Sequence, residues 1–168
     1  MNHENKNWFV LYTKPRQEFK AAAQLEQHKI EHYLPTIKKI KQWSDRKKKI
    51  IEPIFRGYIF IYSTEKERLI SLEQPSIVKS VMFEGKPAII HQTEIENIKK
   101  MLSETNDIVV VNRIEKGSKV KVVAGPFQGV SGVVILNSHN QQILSVSIEM
   151  MNRSIRVTLP YDSVIKYI

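Results

Sequence analysis

Val120–Val134 reads VKVVAGPFQGVSGVV, an apolar, β-branched run broken by three glycines and one proline. Valine loses rotamer freedom in a helix and packs well on a pleated sheet, whereas each interior glycine costs a helix about 1 kcal/mol and proline about 3. The stretch is therefore two strands joined by a turn. The same pattern continues on either side as SKVKVVAG, VSGVVILN, QILSVSIEM and SIRVTL, punctuated by Gly117, Gly125-Pro126, Gly129, Gly132 and the turn residues of 137–140. About five short strands in so short a segment bury little as an open sheet, so residues 113–168 are expected to curl into a small five-stranded, SH3-like β-barrel. The run holds no Cys, His or carboxylate cluster, which makes it a binding fold and not a catalytic one.

Upstream the pattern is different. Trp8–Thr13 (WFVLYT) is aromatic and β-branched and stops at Lys14-Pro15, as a strand would. RQEFKAAAQLEQHKI follows, with alanines that favour helix and with Phe19, Ala22, Leu25 and Ile30 spaced toward one face. Two extended arms, 33–43 and 47–62, flank the turn residues Ser44-Asp45-Arg46 and predict a long hairpin with a basic tip. The returning arm ends in IFRGYIFIYS, apolar enough for a central strand, with Gly57 marking a bulge or a close backbone approach. Thr64–Glu67 and Thr93–Glu96 have the spacing of helix capping boxes, and IVKSVMF between them reads as a strand. The order β-α-β-β-α-β-α predicts an antiparallel sheet with flanking helices over residues 1–102, a linker over 103–112, and an α+β chain overall.

At 168 residues with 42% hydrophobic content, two small cores can form, and no apolar run approaches the length that spans a bilayer. The start of the chain lacks an export signal, which predicts a cytoplasmic protein with no membrane partner. The absence of cysteine removes disulfides and thiolate metal sites. A formal net charge of +9 favours polyanionic partners such as nucleic acid. One catalytic motif needs weighing. His28–His32 reads HKIEH, the H-x-x-E-H spacing that on a helix could hold zinc beside a general base. It falls at the predicted helix end, and His3, His91 and His139 lie in separate turns, so neither metal, cofactor nor enzyme activity is expected.

Two sets of motifs in a fixed order carry a family resemblance. KGSKVKVVAGPFQGVSGVV resembles the KOW motif, and WFVLYTKPRQEFKAAAQL with EPIFRGYIFIY resembles the N-terminal (NGN) domain of the NusG family of transcription elongation factors. YTKPRQ and FEGKPAII are similar to the specialised RfaH- and UpxY-like antiterminator branch. The resemblance implies a monomeric, non-catalytic factor that rides on RNA polymerase, suppresses pausing and promotes read-through.

In such proteins an apolar depression docks on the coiled coil of the clamp in the largest polymerase subunit. Carried over, it comprises Tyr12, Phe55, Tyr58, Phe60, Phe83, Ile95 and Ile98; each of these is equally readable as ordinary core. The resemblance also implies that the first turn faces exposed non-template DNA or nascent RNA, through Lys14, Arg16, Gln17, Lys20 and Gln24. Lysine and arginine neutralise phosphates and glutamine can read a base edge. The basic hairpin tip, with Lys47, Lys48 and the neighbouring Trp43, is a further nucleic-acid candidate, since cations beside an aromatic can hold a backbone and stack a base. Finally, the barrel loops of the family recruit a small-subunit ribosomal protein, and the matching loop holds Met150 and Met151, an adaptable apolar pair that could instead close the barrel end. A KOW fold and positive charge alone would equally suit a ribosome-associated or general RNA-binding protein; the aromatic depression is what separates the two readings.

Overall fold

The computed structural model describes residues 5–168, so His3 and the first residues of the expected leaderless start lie outside it. It divides into two compact units, the first ending at His91 and the second running Gln92–Ile168. The division of contacts therefore falls ahead of the third helix, eleven residues before the expected boundary at 102.

The first unit contains β1 (Asn7–Thr13), α1 (Glu18–Gln27), β2 (Glu31–Tyr33), β3 (Thr36–Gln42), β4 (Lys47–Pro53), β5 (Tyr58–Ser63), α2 (Glu65–Leu72), β6 (Ile77–Ser80), β7 (Met82–Phe83), β8 (Lys86–Pro87) and β9 (Ile89–Ile90). Its main sheet has the order β2-β5-β1-β6, with β9 also paired to β1, and the central pair β1–β5 is antiparallel. Register segregates the side chains. Phe9 opposes Ile61 and Leu11 opposes Ile59, and this face packs with Ala21, Leu25 and Ile30 from α1 and its C-terminal turn, Ile77 from β6, and the half-buried Ile70 and Leu72 of α2. Each fully buried Leu or Ile here stabilises by about 1.5–3 kcal/mol. Trp8 opposite Tyr62, Val10 opposite Phe60 and Tyr12 opposite Tyr58 occupy the other face, which is consequently aromatic.

Three expectations change. The buried side of α1 is Glu18, Ala21 and Leu25, while Phe19 is 51% exposed, because Glu18 turns inward to accept a hydrogen bond from the Gly57 amide at 2.8 Å. The second hairpin arm is not one strand: β4 ends at Pro53, and Gly57, at φ +82°, turns the chain into β5 of a different sheet. No atom crowds the place of a Cβ there, so the left-handed backbone, and not close approach, selects glycine. The capping box at Thr64–Glu67 is formed reciprocally. Thr93, by contrast, lies inside the first turn of the third helix, which starts at Gln92.

The second unit contains α3 (Gln92–Glu104), β10 (Val109–Val111), β11 (Ser118–Ala124), β12 (Ser131–Leu136), β13 (Gln142–Ile148), β14 (Arg153–Thr158) and β15 (Val164–Tyr167). The strands form one antiparallel sheet of six in the order β10-β14-β13-β12-β11-β15. The added strand is β10, which pairs with β14 inside the segment expected to be a linker; its VVV needs a neighbouring strand to become ordered. The opening stretch is explained by this geometry. Gly125 (φ +100°) and Gly129 (φ +94°) shape the turn over which Val122 exchanges hydrogen bonds with Gly129 and Val130, each 2.9 Å. At Gly132 a Cβ would collide with the Ser145 carbonyl oxygen of the adjacent strand. Glu115, 5% exposed at its side chain, is held by Arg156 and Arg113, and Ser154 Oγ donates to the Arg113 carbonyl at 2.7 Å, tying the approach to β11 onto β14. Among the described residues no helix is long and apolar enough to cross a membrane.

Candidate functional site

The aromatic face of β1 and β5 brings several of the expected docking residues together. The Tyr12 and Tyr58 rings lie 4.9 Å apart, both half-buried, with Lys79 Nζ 5.6 Å from the centre of the Tyr12 ring. Phe55 meets Phe60 edge-on at 6.1 Å, and Tyr33 stacks with Phe60 at 6.3 Å. Burial pushes the Tyr33 hydroxyl up to about 12. Phe55 and Phe60 are themselves core, at 3% and 0% exposure, and Phe60 shares the sheet face of Tyr12 and Tyr58. Phe83 is exposed on the β7–β8 hairpin beside exposed Met82. Ile95 and Ile98 are fully buried on α3 in the second unit. The expected seven thus resolve into two accessible tyrosines, one exposed phenylalanine and four buried residues.

The first turn is fixed by its backbone. Thr13 N–H donates to the Gly57 carbonyl and Lys14 N–H to the Ser76 carbonyl, both at 2.9 Å, and Arg16 adopts φ +60° to bring Gln17 N–H back to the Lys14 carbonyl at 3.1 Å. This splits the basic cluster in two. On one side, Gln24 Oε1 accepts from Ser76 N–H at 3.2 Å, the same residue that anchors Lys14, and Lys20 is one helical turn before Gln24. Lys14 and Lys20 are exposed there, Gln17 is half-buried, and Gln24 is committed through its carbonyl oxygen. On the other side Arg16 lines a groove of about 630 Å³ with Phe19, Lys41 and Arg56, floored by Thr13 and Gly57. Glu52 in that groove is held below the usual carboxylate range, first by its hydrogen bond from Lys41 and then by Lys39 and Arg56.

Sequence reasoning missed Phe19, Lys41 and Arg56 as groove residues. The signal for Phe19 was concealed by helix phase: with a carboxylate at 18 taking the inward position, apolar periodicity misassigns its neighbour. The hairpin tip is as basic as expected, with Lys47 and Lys48 exposed and Lys48 Nζ 5.7 Å over the Trp43 ring. In the β13–β14 connection, a tight 3-10 turn over Glu149–Met151 followed by Asn152 at φ +50° rotates Met151 inward to 5% exposure, leaving Met150 half-buried; an exposed methionine pair is not formed. Arg68, on the helix after β5, is also committed: it is buried, pairs with Glu65, donates to Ser80 Oγ at 2.7 Å and sits over the Phe9 ring. The H-x-x-E-H spacing does not lie on a helix, because α1 ends at Gln27, Lys29 is left-handed and His32 is in β2.

The family model described as NusG, transcription termination factor nusG, matches residues 6–99, more than half of the chain. The chain belongs to the NusG family of transcription factors. The matched segment contains β1, the first turn, the ribbon β3–β4 and the aromatic face. Among solved structures, a NusG of Thermotoga maritima, described as showing domain interaction in that protein, superposes with a TM-score of 0.51 at 19% identity, covering 92% of this chain and 93% of that one. It supports the NusG-like mixed α/β fold. An MjSpt4:Spt5 complex in its conformation A aligns over 95% of this chain and 98% of that one at 23% identity, with a TM-score of 0.31, too low to bear on the argument.

Proposed function

We propose that this member of the NusG family is a processivity and antitermination factor of the RfaH- and UpxY-like kind. It binds RNA polymerase and exposed nucleic acid at the same time and performs no chemistry. The observation that carries the reading is the aromatic face within the matched NusG segment, which holds the half-buried Tyr12–Tyr58 pair and, on the same face, Phe60 in edge contact with Phe55. Stiff aromatics on one sheet face suit the coiled coil of the polymerase clamp, because they offer large contact area with few rotors to immobilise. A purely RNA-binding protein has no use for that face.

In this reading Tyr12, Tyr58 and Phe83 touch the polymerase, with Phe55 and Phe60 positioning them. Lys14, Lys20 and Arg16 hold the phosphates of non-template DNA or nascent RNA, and Gln17 is the group left to read a base. Gln24 serves by bracing the Ser76 loop. Lys47 and Lys48 extend the basic track. The six-stranded C-terminal unit acts as a KOW module that recruits a partner such as a small-subunit ribosomal protein, with Met150 at its loop, and the protein works in the cytoplasm as a monomer.

Single-round transcription through an intrinsic terminator, with the full chain added to purified polymerase, tests the direction of the effect. The expected result is more read-through RNA and shorter pauses. Unchanged or increased termination contradicts the antitermination reading.

A further inference from the structure

The groove beside the first turn has a floor that the fold alone does not explain. It holds about 630 Å³, within the range of small-molecule sites, and Thr13, Arg16, Phe19 and Arg56 line it together with two carboxylates, Glu18 and Glu52. Thr13 is 6% exposed, yet its Oγ1 has no hydrogen-bond partner among the described residues. A buried hydroxyl without a partner weakens a fold, and valine would fill the same space in β1 without that cost. Glu18 and Phe19 are the first two residues of α1, which starts without a side-chain cap at Gln17, so its first amides are open to an anion. Both carboxylates already have partners. Glu18 Oε1 accepts from Gly57 N–H at 2.8 Å, and Glu52 lies 2.6 Å from Lys41, 3.7 Å from Lys39 and 3.9 Å from Arg56. Arg16 has no ion pair among the described residues and sits in the left-handed backbone region, φ +60°, that long side chains rarely adopt. Phe19, at 51% exposure, offers an open ring to the same groove.

We propose that this groove binds a free nucleotide by its terminal phosphate, with Thr13 Oγ1 and the first amides of α1 hydrogen-bonded to phosphoryl oxygens, Arg16 and Arg56 neutralising their charge, and Phe19 stacked on the base. A terminal phosphate carries a charge of about −1.5 to −2, which matches the cations that Glu52 leaves over. It is substituted on one oxygen only and can reach a floor atom nearly closed to solvent, whereas a phosphodiester within a strand is substituted on two. The exposed ring selects a partner with a π face over a bare inorganic anion. The site is separate from the polymerase contact and shares only Arg16 with the turn assigned to nucleic acid, so Arg16 is left unaltered in the test and either assignment can fail alone.

The experiment is isothermal titration calorimetry of the full-length chain with ADP, adenosine, pyrophosphate and a ten-nucleotide oligodeoxyadenylate with hydroxyl ends. ADP is expected to bind once per chain, and adenosine and pyrophosphate each about tenfold or more weaker. Thr13→Val is expected to weaken ADP and pyrophosphate about tenfold through the lost charge-assisted hydrogen bond. Its urea midpoint without ligand stays the same or rises, because the hydroxyl has no partner to lose, and the upward shift of that midpoint by ADP shrinks. Phe19→Ser weakens ADP severalfold and leaves pyrophosphate as it was, while Arg56→Gln weakens both. Lys66→Gln, exposed on α2 of the same unit, removes one charge elsewhere and changes neither. The oligonucleotide separates a free nucleotide from a strand as the source of phosphate: it is expected to bind Thr13→Val as tightly as the unaltered chain. No ADP binding by the unaltered chain, Thr13→Val and Lys66→Gln behaving alike toward ADP, or a Thr13→Val loss confined to the oligonucleotide each overturn the proposal.

Discussion

Gly132 shows how one residue decides a fold. Its missing Cβ makes room for the Ser145 carbonyl oxygen and the Val146 side chain, so β12 can lie tight against β13. Gly132→Ala is expected to destabilise the second unit by about 1–3 kcal/mol through overpacking, seen as a lower urea midpoint. Gly57→Ala, in open space but at φ +82°, should cost about 1 kcal/mol through backbone strain alone. Residue identity in these glycine positions was legible from sequence, since a glycine inside a β-branched run demands a reason. Which reason applied was not: the sequence suggests a bulge or a close backbone approach at Gly57, and the backbone angle makes it a turn. The inward turn of Glu18 was hidden for a similar cause, because its hydrogen-bond donor, Gly57 N–H, is far away in sequence.

Among the elements, the segment Arg113–Glu115 and strand β14 depend on a pH-sensitive clamp. Glu115 is held below the ordinary glutamate range chiefly by its hydrogen bonds from Arg156, and then by Arg113. Its folded-state pKa is lowered, so the unfolded chain binds more protons in the interval between the two values. The stabilisation is therefore complete above the ordinary glutamate value of about 4.3 and is lost as pH falls through the lower, folded value. Thermal unfolding of the full chain between pH 6 and 3 should show this loss, and Glu115→Gln should be less stable at pH 6 with a flatter acid limb. The first turn carries a different prediction. Lys14→Ala and Lys20→Ala should each lower the salt slope for single-stranded DNA by about 0.7, while Gln17→Ala relaxes sequence preference with the slope nearly unchanged. Unaltered slopes in both lysine variants would leave that turn a merely solvated surface. Elements with strong local patterns, β1, β5 and the capped α2, were readable in the sequence. The strand β10 and the break between β4 and β5 were not, because each depends on which distant strand is available for pairing.

At the scale of the whole molecule, the second unit is β-rich throughout residues 118–167 within the full chain. Its density of β-branched residues, with glycine and proline at 125–132, disfavours any helical alternative. Backbone chemical shifts of Val120–Val134 are expected to report strands both before and after polymerase is added. Helical shifts in either state would mean that the segment changes fold. The contacts divide before α3 because Ile95, Ile98 and Met101 belong to the buried side of a helix whose contacts group with the C-terminal strands. Amphipathic periodicity announces a helix but not the surface it covers.

The central claim is that the aromatic face of β1 and β5 engages RNA polymerase. Tyr58 is the position to alter, since it is half-buried, packed against Tyr12 with the two rings tilted, and at the start of a strand whose core side chains are Ile59, Phe60 and Ile61. A carboxylate there would be desolvated in an apolar interface without a partner. The measurement is capture of purified RNA polymerase by the immobilised full-length protein, with Tyr58→Asp and Lys14→Ala compared at equal folded fraction. Polymerase retained by the unaltered chain and by Lys14→Ala but lost by Tyr58→Asp is the predicted result; equal retention by Tyr58→Asp, or none by the unaltered chain, contradicts it.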